Sequence, residues 1–298
     1  MMEPIIAIVG FLGAGKTTLL NHLISSFTKV DWSPYVILND YENAFLDAQQ
    51  LADKIDPKLI KALNGSCICC SGIAELRDFV NQIPKRLNGV TLIEANGTSD
   101  ACSLMGFLGV GLQEHFLPPV QISVVDVKNW QKRGEHNQLE ANQIQVSSII
   151  IITHLEKVLD NRIIKVRNSL KILNPSAEIL TLEELNILLL AKLVPSKNIP
   201  HKIKHDKSHW ASCSVELPNL LEESHILMIC NQIPKSILRI KGVTKIGDSN
   251  TYTFFERVPD GSINIRPFKG EPTTGPMLLI VGPGSEHQLL LKAIESVI

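Results

Sequence analysis

Residues 10 to 17 read GFLGAGKT, which fits G-x-x-x-x-G-K-[ST], with the apolar run IIAIV before them and TLLNHLIS after them. That order demands a buried strand, a tight glycine loop and a helix in immediate succession. Glycines let backbone N–H groups curl around phosphate oxygens, and the N-terminus of the following helix adds its dipole. Gly10, Gly13, Ala14, Gly15 and Thr18 would line such a site. Lys16 would reach the β- and γ-phosphates of a nucleotide, and the Thr17 hydroxyl would hold Mg2+. A strand feeding a helix through a phosphate loop is an α/β device, so the motif constrains the fold as well as the chemistry.

The chain around it agrees. YVIL, VTLIE, QISVVD and SIIIIT are further unbroken apolar runs, expected as strands of a mostly parallel sheet buried on both faces. Helices are expected near 16–26, 57–63, 73–83, 99–112, 138–146 and 160–173, the last stopped by Asn174–Pro175. Past residue 194 the texture changes to a lysine- and histidine-bearing stretch, then to SCSVELP, LRIKGVTKIG, TYTFFERV, INIRPF and MLLIVG with helical patches at 222–232 and 285–297. The expected organisation is a P-loop nucleotide-binding domain over 1–194, a linker over 195–211 and a smaller α+β domain over 212–298.

A net charge of -1 gives no support to a nucleic-acid surface. The longest apolar candidate, ILLLAKLV, falls far short of the roughly 20 residues of a membrane helix. The opening MMEPIIAIVG is not patterned as a secretory signal. The expectation is a cytoplasmic protein with reduced thiols and no membrane or nucleic-acid partner.

Three further segments carry chemistry. VTLIEANG places Glu94 at a strand end, where a carboxylate supports Mg2+, and Gly97 where a backbone N–H meets a γ-phosphate. LNDYEN, with Asn39, Asp40 and Glu42, is placed like a switch loop, and Asp40 is a second Mg2+ candidate. THLE, residues 153 to 156, stands where guanine-specific proteins carry N-K-x-D. Glu156 keeps the carboxylate that accepts two hydrogen bonds from guanine, with Thr153 and His154 in place of the amide and the lysine.

LNGSCICC brings Cys67, Cys69 and Cys70 within four positions. Clustered thiols in a reducing compartment mark a soft-metal site, Zn2+ or Co2+ before others, with a fourth ligand from elsewhere. Packing as small apolar residues is the alternative. Cys102, Cys213 and Cys230 are isolated and expected to be structural. His201, His205 and His209 recur every four residues beside Pro200 in the linker, where a solvated loop and a weak metal-collecting arm both fit.

Taken in order, GFLGAGKTTLLNHLI, VILNDYENAFLDAQQL, NGSCICC and VTLIEANG resemble the CobW-type P-loop GTPases, relatives of the urease and hydrogenase nickel GTPases. RIKGVTKIG with MLLIVGPGSEHQLLLKAI is similar to that family's C-terminal domain. The resemblance implies a cytoplasmic GTPase that uses GTP and Mg2+ and passes a transition metal to a client metalloprotein. Lys16, Thr17 and Glu94 would serve catalysis. Three motifs depart from the family. Ser66 separates Gly65 from Cys67. Glu-Thr-Thr-Gly becomes Glu94-Ala95-Asn96-Gly97, losing two hydroxyls. The switch acid moves by one in Asn39-Asp40-Tyr41-Glu42-Asn43. These changes imply a divergent branch with slower hydrolysis. Two rival readings stay open: a P-loop ATPase or kinase with structural cysteines, and a non-catalytic metal sensor or sequestering protein.

Overall fold

Strands that are apolar along their whole length need cover on both faces, and parallel sheets supply it. The computed structural model describes residues 2–39, 44–52, 54–63, 72–190, 195, 212–272, 275–282 and 285–297. In it β1 (Ile5–Gly10), β2 (Ser33–Asn39), β3 (Ile60–Leu63), β4 (Gly89–Glu94), β5 (Val120–Asp126), β6 (Ile149–Thr153) and β7 (Glu178–Thr181) form one sheet. Their spatial order is β3-β2-β4-β1-β5-β6-β7, and every pairing is parallel. β1 is central, so the residues that leave its C-terminal end meet those leaving β4 and β5. The helices of this part are α1 (Lys16–Thr28), α3 (Gly72–Gln82), α4 (Ala101–Leu108), α5 (Asn137–Gln145), α6 (Asp160–Leu173) and α7 (Ile187–Leu190), with α2 (Ala44–Leu51) between α1 and α3 in the chain. Among the described residues no helix is long and apolar enough to cross a membrane.

One expected helix is corrected. Residues 57–63 form a single 3-10 turn, Pro57–Leu59, followed by β3. Asp56 caps the turn by accepting from the Lys58 N–H at 2.9 Å, and Pro57 suits a helix start. The free edge of β2 then captures Ile60–Leu63 as a strand. Four residues carry too little periodicity to announce that. The stop after α6 was legible: the Asn174 side-chain N–H2 donates to Ile144 O at 2.8 Å and Ser147 O at 2.9 Å, and its oxygen accepts from Ala177 N at 3.1 Å.

By internal contacts the chain divides into two units, Met1–Asp40 with Lys54–Ser208, and Tyr41–Asp53 with His209–Ile298. Most of the expected linker 195–211 lies outside the described residues. The second unit is an antiparallel sheet of β8 (Ser212–Glu216), β9 (Arg239–Lys245), β10 (Tyr252–Arg257), β11 (Ile263–Phe268) and β12 (Met277–Val281), ordered β11-β10-β9-β12-β8. Helices α8 (Glu223–Gln232) and α9 (His287–Glu295) share an apolar cluster with Cys213, Phe255, Leu278 and Ile280. A separate cluster joins Leu46 of α2 to Val243, Phe254 and Phe268. Lys241, only 1% exposed, donates to the Asp47 carboxylate of α2 at 2.9 Å. So α2, early in the sequence, belongs by its packing to the C-terminal sheet.

Arg257 holds the end of α8. Its guanidinium donates to Cys230 O, to Ile233 O at 2.7 Å, to Pro234 O at 3.0 Å and to Ile237 O at 2.8 Å. Cationic donors at a helix C-terminus satisfy carbonyls that no helical N–H reaches. Arg257→Ala should lower the stability of the second unit by about 3 kcal/mol, because several buried carbonyls lose their donor together. Urea unfolding measures it, and an unchanged midpoint would show that water replaces the guanidinium without loss.

The isolated cysteines are core residues. Burial pushes the Cys102 thiol up to about 12, helped by the nearby Asp100 carboxylate. Burial likewise pushes Cys230 up to about 11, and Cys213 is buried against α9 and β12. Alkylation requires thiolate. Iodoacetamide at pH 8 should therefore leave these three unlabelled in the native protein and label them after denaturation, read by peptide mass mapping. Labelling of native Cys102 or Cys230 would contradict the structural assignment.

Candidate functional site

The phosphate loop is shaped by what its glycines touch. A Cβ on Gly10, where β1 ends, would stand 2.5 Å from the Val124 carbonyl oxygen of β5. Gly15 has φ 102° and supplies the turn into α1, a conformation costly for any residue with a Cβ. The Ala14 N–H donates to Phe11 O at 3.1 Å, which folds the loop back on itself. Lys16 opens α1 and is buried, its ammonium donating to Gly10 O at 3.0 Å and Phe11 O at 3.3 Å. The charge expected to meet phosphate therefore sits within the loop. The helix N-terminus begins at the same residue, so two sources of positive potential coincide.

Glu94 ends β4, and the register pairs it with Ile8 of β1. This register brings its carboxylate to the start of α1, where the Thr17 hydroxyl donates to Glu94 Oε1 at 2.9 Å. A hydroxyl and a carboxylate are hard oxygen donors, the set that Mg2+ selects, so these two residues fit the ion. Just beyond, the Ala95 N–H donates to Ile8 O at 3.0 Å. Gly97 then passes so close to the loop that a Cβ there would stand 2.7 Å from the Leu12 backbone nitrogen. Lys16, Thr17, Glu94 and Gly97, named from sequence alone, are brought together.

The end of β6 is also drawn to the loop. The Thr153 hydroxyl donates to Ala14 O at 2.7 Å, and its methyl lies against Gly15. His154, at φ 54°, places ring Nε2 3.0 Å from Gly13 O. These two residues, expected beside the base, brace the loop backbone. Glu156 is exposed two residues further on.

A buried charge cluster beside the loop went unrecognised in the sequence. Arg133 stacks on the Phe11 ring, 4.4 Å from its centroid. The guanidinium pairs with Asp126 at 3.3 Å and Glu140 at 3.2 Å. Burial pushes the Glu140 carboxyl up, and Arg133 pulls against it. His136, near the same ring, is pushed down, chiefly by burial. Asp126 at the C-terminal end of QISVVD was the available signal; Arg133 and Glu140 lie in loop and helix with no motif around them. Gln143 of α5 was missed for the same reason. Its side-chain N–H2 donates to Gly97 O at 3.2 Å and Ser99 O at 3.1 Å, fixing the turn that follows β4.

Asp40, the thiols of Cys67, Cys69 and Cys70, and the three linker histidines lie outside the described residues. Among the described residues no group of three or more His, Cys, Asp or Glu side chains is placed to hold a metal ion.

Comparison with known proteins places this chain in a family. The zinc chaperone YjiA of Escherichia coli (strain K12) is 25% identical over 279 residues, covering 85% of this chain and 86% of that protein. The zinc-regulated GTPase metalloprotein activator 1 of Dictyostelium discoideum is 22% identical over 215 residues, 59% of this chain but only 45% of its own length. Among solved structures, the Zn(II)-bound YjiA GTPase from E. coli aligns over 100% of this chain and 99% of that one, at 16% identity and a TM-score of 0.45. The family model described as CobW/HypB/UreG, nucleotide-binding domain, matches residues 4–181, the span that holds the phosphate loop, Glu94 and the Thr153 brace, and the chain belongs to that family.

Proposed function

We propose that this chain is a GTP-dependent metallochaperone that binds a thiophilic transition metal, zinc or cobalt, at Cys67, Cys69 and Cys70 and delivers it to a client metalloprotein. The chain is a GTPase of the CobW/HypB/UreG family. The observation that carries the nucleotide half is the Thr17–Glu94 hydrogen bond, which brings together beside the phosphate loop two oxygen donors that would suit Mg2+. Thr17 and Glu94 would hold Mg2+, which would supply charge neutralisation for the bound triphosphate. The loop N–H groups and Lys16 orient the triphosphate, while Gly97 offers its N–H near the terminal phosphate. Hydrolysis is slow in this reading, because the two hydroxyls of the family's Thr-Thr pair are absent at Ala95 and Asn96.

The metal half is supported by the C-x-C-C spacing and by relatives named as zinc chaperones. GTP would order the segment around Asp40 and shape the thiol site, and hydrolysis would loosen the metal. The position of Glu156 after β6 supports guanine as the base.

The base assignment separates from the loop brace by mutation. Glu156→Gln should cut GTP affinity about tenfold or more and leave ATP affinity unchanged, because a carboxamide cannot accept two hydrogen bonds from guanine. Thr153→Val should weaken GTP and ATP alike, about fivefold, since it frees the Ala14 carbonyl that both nucleotides depend on. Competition against a fluorescent nucleotide reads both, and an unchanged GTP/ATP preference in Glu156→Gln would move base recognition to another loop.

Nucleotide gating has its own test. Metal should bind the complex with a non-hydrolysable GTP analogue more tightly than the GDP complex, by a factor of about 5 to 150, and should raise affinity for the analogue by the same factor. Binding should weaken as pH falls, since the thiols must lose protons to ligate. Replacing all three cysteines by serine should abolish metal binding and the coupling together. Equal metal affinity in the two nucleotide states, by competition with a chromogenic chelator, would leave the sensor or structural-cysteine reading standing.

A further inference from the structure

The turn after β4 contains a side chain that the Mg2+ and phosphate-loop assignments do not use. Asn96 is 3% exposed. Its Oδ1 accepts from the Thr98 N–H at 3.0 Å, the Thr98 hydroxyl at 3.1 Å and the Ser99 hydroxyl at 2.9 Å. A backbone N–H only donates, so this bond decides which limb of the amide is oxygen. The other limb, Nδ2, is buried and has no hydrogen-bond partner among the described residues. Buried amide N–H2 groups are nearly always satisfied, and one that is not points to a missing acceptor.

Its position says which acceptor. Asn96 lies between Glu94, bonded to Thr17, and Gly97, pressed against the Leu12 backbone. The β1–β4 register and the Ala95-to-Ile8 hydrogen bond carry it past the C-terminal edge of the sheet beside the loop. The turn is held from both sides. Asn96 Oδ1 ties residues 98 and 99 from within, and Gln143 ties the carbonyls of Gly97 and Ser99 from α5. A fixed donor beside a phosphate loop suits an acceptor-only anion. The loop N–H groups would serve the inner phosphates and Lys16 would reach on to the γ-phosphate, so the outermost phosphate is the one left to meet the β4 turn.

We propose that the Asn96 side-chain N–H2 donates a hydrogen bond to the terminal phosphate of bound GTP and thereby distinguishes GTP from GDP. The proposal rests on residues 10–17 and Glu94 forming the triphosphate site.

Asn96→Asp is the diagnostic change. It keeps an oxygen for Thr98 and Ser99, removes the donor and sets a carboxylate where the γ-phosphate would lie. Affinity for a non-hydrolysable GTP analogue should fall about 10- to 150-fold, the range for a lost hydrogen bond to a charged group. GDP affinity should stay within about twofold, and the thermal midpoint should hold. Asn96→Ser, which removes the amide without adding charge, should show the same selective loss at the lower end of that range and serves if the aspartate variant fails to fold. Equal loss of GTP-analogue and GDP affinity, or no loss of either, would reduce Asn96 to a turn former and overturn the proposal. Lys16→Ala, run alongside, separates the two levels: if it leaves nucleotide binding intact, the site assignment itself falls, whereas a failure confined to Asn96 leaves that assignment standing.

Discussion

The hydrogen bond from the Thr17 hydroxyl to the Glu94 carboxylate depends on every layer beneath it. Thr17 is presented by α1, whose start is set by the glycine turn at the end of β1. Glu94 is presented by β4, whose parallel register with β1 sets Glu94 opposite Ile8. A slip of one residue would turn each β4 side chain to the opposite face of the sheet, and the two oxygen donors would no longer meet. The buried strands around β1 thus act as a ruler. Their apolar packing resists slippage, and the polar chemistry sits only where the strands end.

Around that ruler the protein places polar groups deep in its interior, many of them bonded to groups distant in the chain. Arg133 answers two carboxylates and stacks on Phe11. Gln143, buried in α5, reaches across to the β4 turn. Thr153 pins Ala14. Such networks rigidify when fully satisfied, and a single missing partner is costly in low dielectric. They hold the loop and the turn at set positions before nucleotide arrives, which is what electrostatic catalysis of phosphoryl transfer requires. Among the described residues, Asn96 differs from the buried Gln121 and Gln143 amides in that its unsatisfied limb is the N–H2 donor and not the oxygen.

The second unit solves a different problem. An antiparallel sheet needs one covered face, and here α8 and α9 supply it. Leu46 and Asp47 of α2 add cover near β9 and β10 through an apolar cluster and a buried ion pair. Burying Lys241 would be prohibitive without its carboxylate partner, so the Asp47 contact ties α2 to this sheet specifically. The chain enters α2 at Ala44, directly after the LNDYEN segment that the sequence places as a switch.

The sequence by itself determined the α/β class, five of the seven parallel strands and the residues of the phosphate loop. Those features are local: an apolar run, a glycine spacing and a helix start all lie within a few adjacent positions, and backbone sterics enforce them wherever they occur. The place of Glu94 at a strand end was legible because the carboxylate closes the unbroken apolar run of β4. What only the tertiary structure decided is everything set by partners distant in the chain. Edge pairing with β2 turned residues 60–63 from expected helix into strand. Asp47 went to Lys241, nearly two hundred residues away. Thr153 went to the loop backbone, and Gln143 to the Gly97 carbonyl. Side-chain hydrogen bonds have no period and no fixed sequence spacing, so a chain does not disclose them until the sheet has brought their donors and acceptors together.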